Sequence, residues 1–334
     1  MKISTSKTEL QSALQKLSKA IPARSTLPIL SSVLFNVKES GTVLRTTDLE
    51  ITIIVNLPVS VESSGSVALP LQTLLDITNE LPNDARMTLT ADENNKITMA
   101  TDAGSYDIMG KPADEFPAIP EVDNRKAMGV SAKTLKDLIS KTSFAVSRDE
   151  LKPALTGVLF RFDEKELTAV ATDGHRLVRY TRRDYSADEF SGDVIVPRKF
   201  LSLLLGVLSG NDPIKMWMGD NHITASIGDD TYFTRIIDER FPDFESVIPK
   251  DNDKEFSANK EELLSAVRRV SIFSNKSTHQ IALRLNKGET QITTEDPEKA
   301  SKAQEKIFGE FNGEDLAVGY NALYLKDILS HIDD

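Results

Sequence analysis

Ala171-Thr172-Asp173-Gly174-His175-Arg176-Leu177 is the stretch around which the rest of the chain can be laid out. Leu167 to Ala171 before it and Leu177 to Arg182 after it alternate polar and apolar side chains, as two half-buried strands do. Asp173-Gly174 between them is a two-residue hairpin signal, because Gly accepts the positive φ of a primed turn and Asp tolerates it. His175 and Arg176 then stand at a strand end, beside the turn.

Outward from this hairpin the chain reads as a threefold repeat. Lys2 to Leu17 gives a short strand and then a helix with Leu10, Leu14 and Leu17 at helical spacing, capped by Ser6 or Thr8. The same design returns at Val130 to Lys141 and at Ser257 to Val270, a spacing of roughly 125 residues, which is domain-sized rather than solenoid-sized. Leu27 to Phe35 aligns with Lys152 to Phe160 and more loosely with His279 to Leu285. Ser66 to Leu75 aligns with Asp193 to Leu204, a strand entering a helix with Pro at or beside its first turn, and Leu316 to Leu325 holds that place in the third copy. Glu115-Phe-Pro-Ala and Arg240-Phe-Pro-Asp close the first two copies, and polar connectors follow around Glu121 to Lys126 and Lys250 to Lys254. The expected domains are 1–122, 128–250 and 255–334. In the third, the chain stops directly after the helix that ends near His331, so two or three strands are expected to be missing.

Composition narrows the function. With 334 residues, 40% hydrophobic and 27% charged, and no apolar run near the roughly 18 residues of a membrane span, a soluble protein of two or three domains is expected. The start, Met1-Lys-Ile-Ser-Thr, has no apolar signal core, so a cytoplasmic location is expected. Zero Cys excludes disulfides, thiolate metal sites and Cys nucleophiles, and four His supply little for metal chemistry. The net charge of -11 argues against general stickiness toward nucleic acid but permits a local basic face.

Arg24-Ser-Thr-Leu-Pro-Ile-Leu30, Ala171 to Leu177, Val194-Ile-Val-Pro-Arg-Lys199, Arg240-Phe-Pro-Asp243 and Ser274-Asn275 together resemble, in order and spacing, the bacterial sliding clamps, the β subunits of DNA polymerase III. The resemblance covers essentially the whole chain. It implies an α+β fold of three similar domains, each with two helices packed on antiparallel sheets, and a head-to-tail homodimer closed as a ring around duplex DNA. It implies no catalysis, no cofactor and no metal. The partners implied are double-stranded DNA without sequence preference, and polymerase, clamp loader and repair proteins held through short peptides; no membrane is involved.

The resemblance also assigns residues. Leu155, Thr172, Gly174, His175, Arg176, Leu177, Pro242 and Val247 would form the wall of the client-peptide pocket, where Leu and Val side chains bury a client's Leu or Phe and Arg176 donates to its carbonyls. Arg24, Arg148 and Lys152 would reach DNA. Lys136, Arg198 and Lys199, with Lys7, Lys16, Lys19, Lys133, Lys141, Lys260, Arg268 and Arg269, lie on or beside the repeat helices, where phosphate-directed charge lets a ring slide without base readout, although any single one also reads as part of an ordinary solvated helix face. Tyr106, Ile108, Ile272 and Phe273 would join the subunits, although apolar residues at such positions also pack locally; Trp217 reads as core.

Three readings of the hairpin stay open. A turn alone accounts for Asp173-Gly174. A hydrolase would use His175 oriented by Asp173, but no Gly-x-Ser-x-Gly or other nucleophile motif accompanies them. A binding pocket is favoured by Gly-His-Arg being present in the second copy only, against Thr47-Asp48-Leu49 and Glu295-Asp296-Pro297. The missing strands add an alternative to the clamp, a peptide-binding scaffold unable to close. Their loss would fall on the joint between the second and third domains, leave strand 176–182 as an Arg-bearing edge, and weaken the third domain by several kcal/mol at about 25 cal/mol per Å2 of uncovered apolar surface.

Overall fold

The computed structural model describes residues 1–22, 24–119, 125–209, 213–287 and 289–333. Of the connector expected around Glu121 to Lys126, residues 121–124 lie outside the described residues.

Six helices among the described residues follow the repeat: α1 (Lys7–Leu17), α2 (Leu71–Glu80), α3 (Ala132–Thr142), α4 (Arg198–Leu205), α5 (Lys260–Ser271) and α6 (Ala322–His331). They pack as the pairs α1 with α2, α3 with α4 and α5 with α6. The first helix of each pair starts for the same reason. Ser6, Ser131 and Asn259 each accept the backbone N–H three residues on, at 3.2, 3.1 and 3.0 Å. Glu9 reaches back to the Ser6 N–H and completes a capping box on α1. Leu10, Leu14 and Leu17 are fully buried, as their spacing predicts. Pro70 and Pro197 occupy the cap position before α2 and α4, where a missing N–H costs nothing. In the third copy Asn321 caps α6.

Among the described residues every strand pairing is antiparallel. The first domain has a five-stranded sheet that ends at Gly104–Met109. Its other sheet does not stop at the domain boundary: Ile51–Leu57 pairs with Asp230–Arg235 of the second domain, giving one eight-stranded sheet across the joint. In that register Tyr232 lies opposite Ile53 and Thr234 opposite Ile51. The second domain adds a four-stranded sheet ending at Leu177–Arg182, and the third a four-stranded sheet ending at Ser301–Ile307 with a two-stranded one, Phe256–Ala258 with Gly309–Phe311. The first two domains share a continuous apolar core, whereas the third has its own around Leu264, Val267, Ile281, Ile292 and Phe311.

Two sequence expectations change. Thr172 pairs with Leu177, so the central hairpin has a four-residue loop, Asp173 to Arg176, and not a two-residue one. Side chains explain the wider turn. The Asp173 carboxylate accepts the N–H groups of His175 and Arg176 at 2.9 and 3.0 Å, and Thr172 Oγ1 accepts that of Gly174 at 3.0 Å, with Gly174 at φ 89. Asp48 and Thr47 hold the first copy's turn in the same way, with Leu49 at φ 78. Trp217 is half-buried, because it alternates with the buried Met216 and Met218 on its strand and faces the other side of the sheet.

Candidate functional site

The apolar floor beside the central hairpin consists of Leu159, Val170, Ile195 and Phe244, with Leu177, Phe241 and Ile248 packed against it. Leu159, Val170 and Ile195 come from three adjacent strands, and the segment after Arg235 folds back over them, tied by Ile237 N–H to the Ile195 carbonyl at 3.0 Å. A groove of about 440 Å3 runs along this floor between Arg161, Asp193 and the Arg240-Phe241-Pro242 turn. Arg161 is fixed there by Asp193, at 3.0 and 3.1 Å, and lies 5.2 Å from the Phe244 ring centroid. That hydrogen bond holds the guanidinium above its usual pKa.

The residues expected to wall the pocket occupy three levels. Leu155 is buried next to Ala154, which packs against the floor on which Leu177 lies half-buried; Thr172, Gly174, His175 and Arg176 form the hairpin end; Pro242 and Val247 are exposed on the returning segment. Arg176 departs from its expected use. Its Nε donates to Asp173 at 3.1 Å, Nη1 to Asp327 at 2.9 Å and Nη2 to the Phe144 carbonyl at 3.0 Å, so these donors are turned inward rather than toward a ligand. Its carbon Cζ lies 4.7 Å from the Tyr324 ring centroid and 5.4 Å from that of Phe144. Tyr324 also stacks on His175, with centroids 6.1 Å apart. Phe144, Tyr324 and Asp327 are not legible in the sequence as site residues, since their role appears only when α6 is seen docked on the second domain. His175 and Asp173 form no catalytic pair: the Asp173 carboxylate is taken up by backbone N–H groups and by Arg176.

The basic residues fall into two groups. Arg24, Arg148 and Lys152 are exposed and make no ion pair with a described residue. The loop bearing the latter two is held by Ser147 and Asp149, which accept the N–H groups of Asp149 and Leu151. Arg198 is half-buried at the start of α4. Lys199 is ion-paired with Asp48 across the first joint, Lys16 with Asp230 at 2.6 Å, Lys141 with Asp333 and Arg269 with Glu305 at 2.7 Å. Lys136 donates to the Leu208 carbonyl at 3.3 Å. Lys7 is not a surface cation at all: it is buried and bonded to Asn83 at 2.7 Å.

Of the residues assigned to subunit contact, Ile108 is buried in its own domain and Tyr106 half-buried on the terminal strand Gly104–Met109. Ile272 and Phe273, just past α5, are 66% and 43% exposed. Among the described residues no helix is long and apolar enough to cross a membrane.

Comparison with known proteins accounts for the architecture. Three family models match in succession: the N-terminal, central and C-terminal domains of the DNA polymerase III beta subunit, at residues 1–120, 129–243 and 245–334. The beta sliding clamp of Pseudomonas putida is 32% identical over 95% of this chain and 86% of its own length; that of Escherichia coli K12 is 30% identical over 99% and 90%. The crystal structure of the DNA polymerase III subunit beta from Pseudomonas aeruginosa superposes with a TM-score of 0.93 at 30% identity, covering 99% of this chain and 90% of that one. The sliding clamp of Bacillus subtilis gives 0.94 at 26% identity, covering 100% and 90%. These matches give no support to the expectation of a third domain cut short. The three successive domains, the shared sheet across their first joint and the identity along nearly the whole chain make it a member of the DNA polymerase III beta subunit family, the beta sliding clamps.

Proposed function

We propose that two copies of this chain join head to tail into a ring that encircles duplex DNA and holds replication and repair proteins by short peptides in the second-domain pocket. It acts as a processivity factor and not as a catalyst, and a cytoplasmic location suits that work. The observation that carries the ring is the joint between the first and second domains. There, the terminal strand Asp230–Arg235 of one repeat adds to Ile51–Leu57 of its neighbour. The same two edges recur unpaired among the described residues as Gly104–Met109 and Ser301–Ile307.

Repeat positions transfer the register. Lys96 pairs with Met109 as His222 pairs with Arg235, and Thr290 with Ile307 as Thr42 with Leu57. Tyr106 therefore corresponds to Tyr232, and Ser301, Lys302 and Ala303 to Ile51, Thr52 and Ile53. An equivalent joint between copies sets Tyr106 against Ala303 of the partner subunit, Ile108 against Ser301 of the partner subunit, and Asp107 against Lys302 of the partner subunit. Opposite charges meet at the last pair. By the shared helix caps, Ile272 corresponds to Lys19, which lies beside Gly206 at the end of α4. Ile272 and Phe273 are thereby aimed at the end of the partner's α2.

In such a ring the exposed Arg24, Arg148 and Lys152 supply phosphate contacts, which position a duplex without reading bases. The apolar floor under Leu177 suits a client's Leu or Phe. A solved clamp from Pseudomonas aeruginosa is described as bound to griselimycin, and one from C. crescentus as carrying PEG at a putative beta-motif tethering region, so relatives offer ligand sites of their own. Sedimentation equilibrium tests the ring first: twice the chain mass is expected, and a monomer at every concentration refutes it. Clamp loading onto nicked circular DNA should then give complexes that are lost on linearisation.

A further inference from the structure

The two joints within the chain are built differently. At the first, strands pair; at the second, the strand Leu177–Arg182 ends its sheet among the described residues, and the contact is made by side chains between α6 and the second domain. Arg176 is their centre. Its guanidinium carbon lies 5.4 Å from the Phe144 and 4.7 Å from the Tyr324 ring centroid, and its N–H groups reach Asp173 and the Phe144 carbonyl of the second domain and Asp327 of α6. The side chain is only 11% exposed, so its charge depends on these carboxylates for compensation. His331 of α6 extends this cluster by stacking on Phe144 at 4.1 Å, and outside it Lys141 pairs with Asp333.

We propose that Asp327 is a positioning residue for client binding: acting through Arg176, it fixes the hairpin end Thr172 to Leu177 against α6, so that one ion pair sets both the pocket wall and the seating of the third domain on the second. The proposal rests on the peptide-pocket reading of this site. Asp327 belongs to no element of the pocket floor, yet it holds Arg176, which stands between His175 and Leu177 in the chain and is bound to the same Asp173 carboxylate that shapes the loop. Without it Arg176 keeps Asp173 and the Phe144 carbonyl, and only the Tyr324 ring, against Arg176 and His175, still refers the hairpin end to α6. The coupling runs both ways: a peptide that needs the ordered wall must also stiffen the joint, because linkage is reciprocal.

The test uses the full chain and a fluorescein-labelled synthetic heptapeptide carrying an adjacent Leu-Phe pair, with binding read by anisotropy and α6 followed by hydrogen exchange. Asp327→Asn keeps the size of the side chain and removes its charge. It is expected to weaken binding about tenfold and to abolish peptide-induced protection of residues 322–331. Asp327→Glu, which restores the charge, is expected to recover most of the affinity. Asp333→Asn opens another ion pair of the same joint without touching Arg176 and is expected to stay within about twofold of the parent chain. Parent-like affinity for Asp327→Asn overturns the proposal, as does an equal loss in Asp333→Asn, which would mean general loosening. A parent chain that fails to bind the peptide removes the pocket reading itself, an outcome distinct from either.

Discussion

Tyr232 and Tyr106 occupy the same position in successive repeats, yet Tyr232 is 2% exposed beneath the first joint while Tyr106 is half-buried on an open sheet edge. The burial of Tyr232 also holds its phenol above the usual pKa. The difference between the two tyrosines measures what a second copy would cover.

Charge exchange tests the register. Asp107→Lys places like charges opposite each other at both joints of a ring and should shift the sedimentation profile toward monomer, at a cost of about 1 to 2 kcal/mol per joint. Lys302→Asp alone should do the same. The double variant should recover the dimer. Asp107 also pairs with Lys96 at 2.7 Å within its own chain, so recovery in the double variant, rather than loss in the single one, identifies the contact.

Phe273→Ala addresses the apolar part of the same joint. Phe273 is 43% exposed and lies outside the third domain's core, so its loss should leave the melting temperature of that domain nearly unchanged. A buried aromatic anchor at an interface is worth about 2 kcal/mol or more, a dimer dissociation constant at least tenfold higher. Equal dissociation constants for the parent and variant chains would place Phe273 outside the interface.

Neutralising Arg24, Arg148 and Lys152 together should lower the dependence of DNA residence on salt, by close to 0.9 in the log–log slope for each phosphate that the variant no longer neutralises. Lys199→Ala should have a smaller effect on that slope, because its ammonium is already paired with Asp48. It should instead loosen the first joint. Measuring retention on closed circular DNA over a range of about 50 to 200 mM salt separates the two.

How much of this is legible in the sequence depends on whether an element is specified locally. The helix caps Ser6, Ser131 and Asn259 and the repeat of apolar spacing are written in neighbouring residues, and so the three domains can be laid out without coordinates. The hairpin loop is longer than its Asp-Gly signal predicts because the Asp173 carboxylate, not only Gly174, shapes it, and a side chain bonded to backbone N–H groups leaves no periodic trace. Arg176 is visible in the sequence as a site residue, but its partners are not. Its contacts with Tyr324 and Asp327 cross some 150 residues of chain, as does the ion pair that removes Lys199 from the free cations. Lys7 reads as a surface residue because its Asn83 partner follows from the packing of α1 on the turn after α2.

Acid should loosen the end of α6 in a defined direction. The hydrogen bond from Lys141 holds the Asp333 carboxyl below its ordinary value of 3.8. A group depressed in the folded state contributes stability that is present above its unfolded pKa and is lost as the pH falls through the folded one. Hydrogen exchange at the end of α6, corrected for intrinsic rate, should therefore speed up below about pH 4. Lys141→Met should remove that step while leaving exchange within α1 untouched; a step of the same size in the variant would assign the pH dependence elsewhere.

Leu177→Ala and His175→Ala distinguish apolar capture from any chemistry at the hairpin. Leu177 packs on the floor formed by Leu159, Val170 and Phe244, so its truncation removes surface on which a client's Leu or Phe would lie. Peptide binding should weaken at least tenfold, while the second domain loses about 1 to 2 kcal/mol of stability, less than a fully buried leucine would cost. His175 is exposed, and its ring contact is with Tyr324 at 6.1 Å. His175→Ala should leave the melting temperature unchanged and lower peptide affinity by about threefold, in keeping with a ring contact worth less than about 1 kcal/mol. Peptide affinity measured by anisotropy and stability by urea unfolding decide both cases. A larger loss from His175→Ala than from Leu177→Ala would show that the pocket works by polar recognition and not by burial.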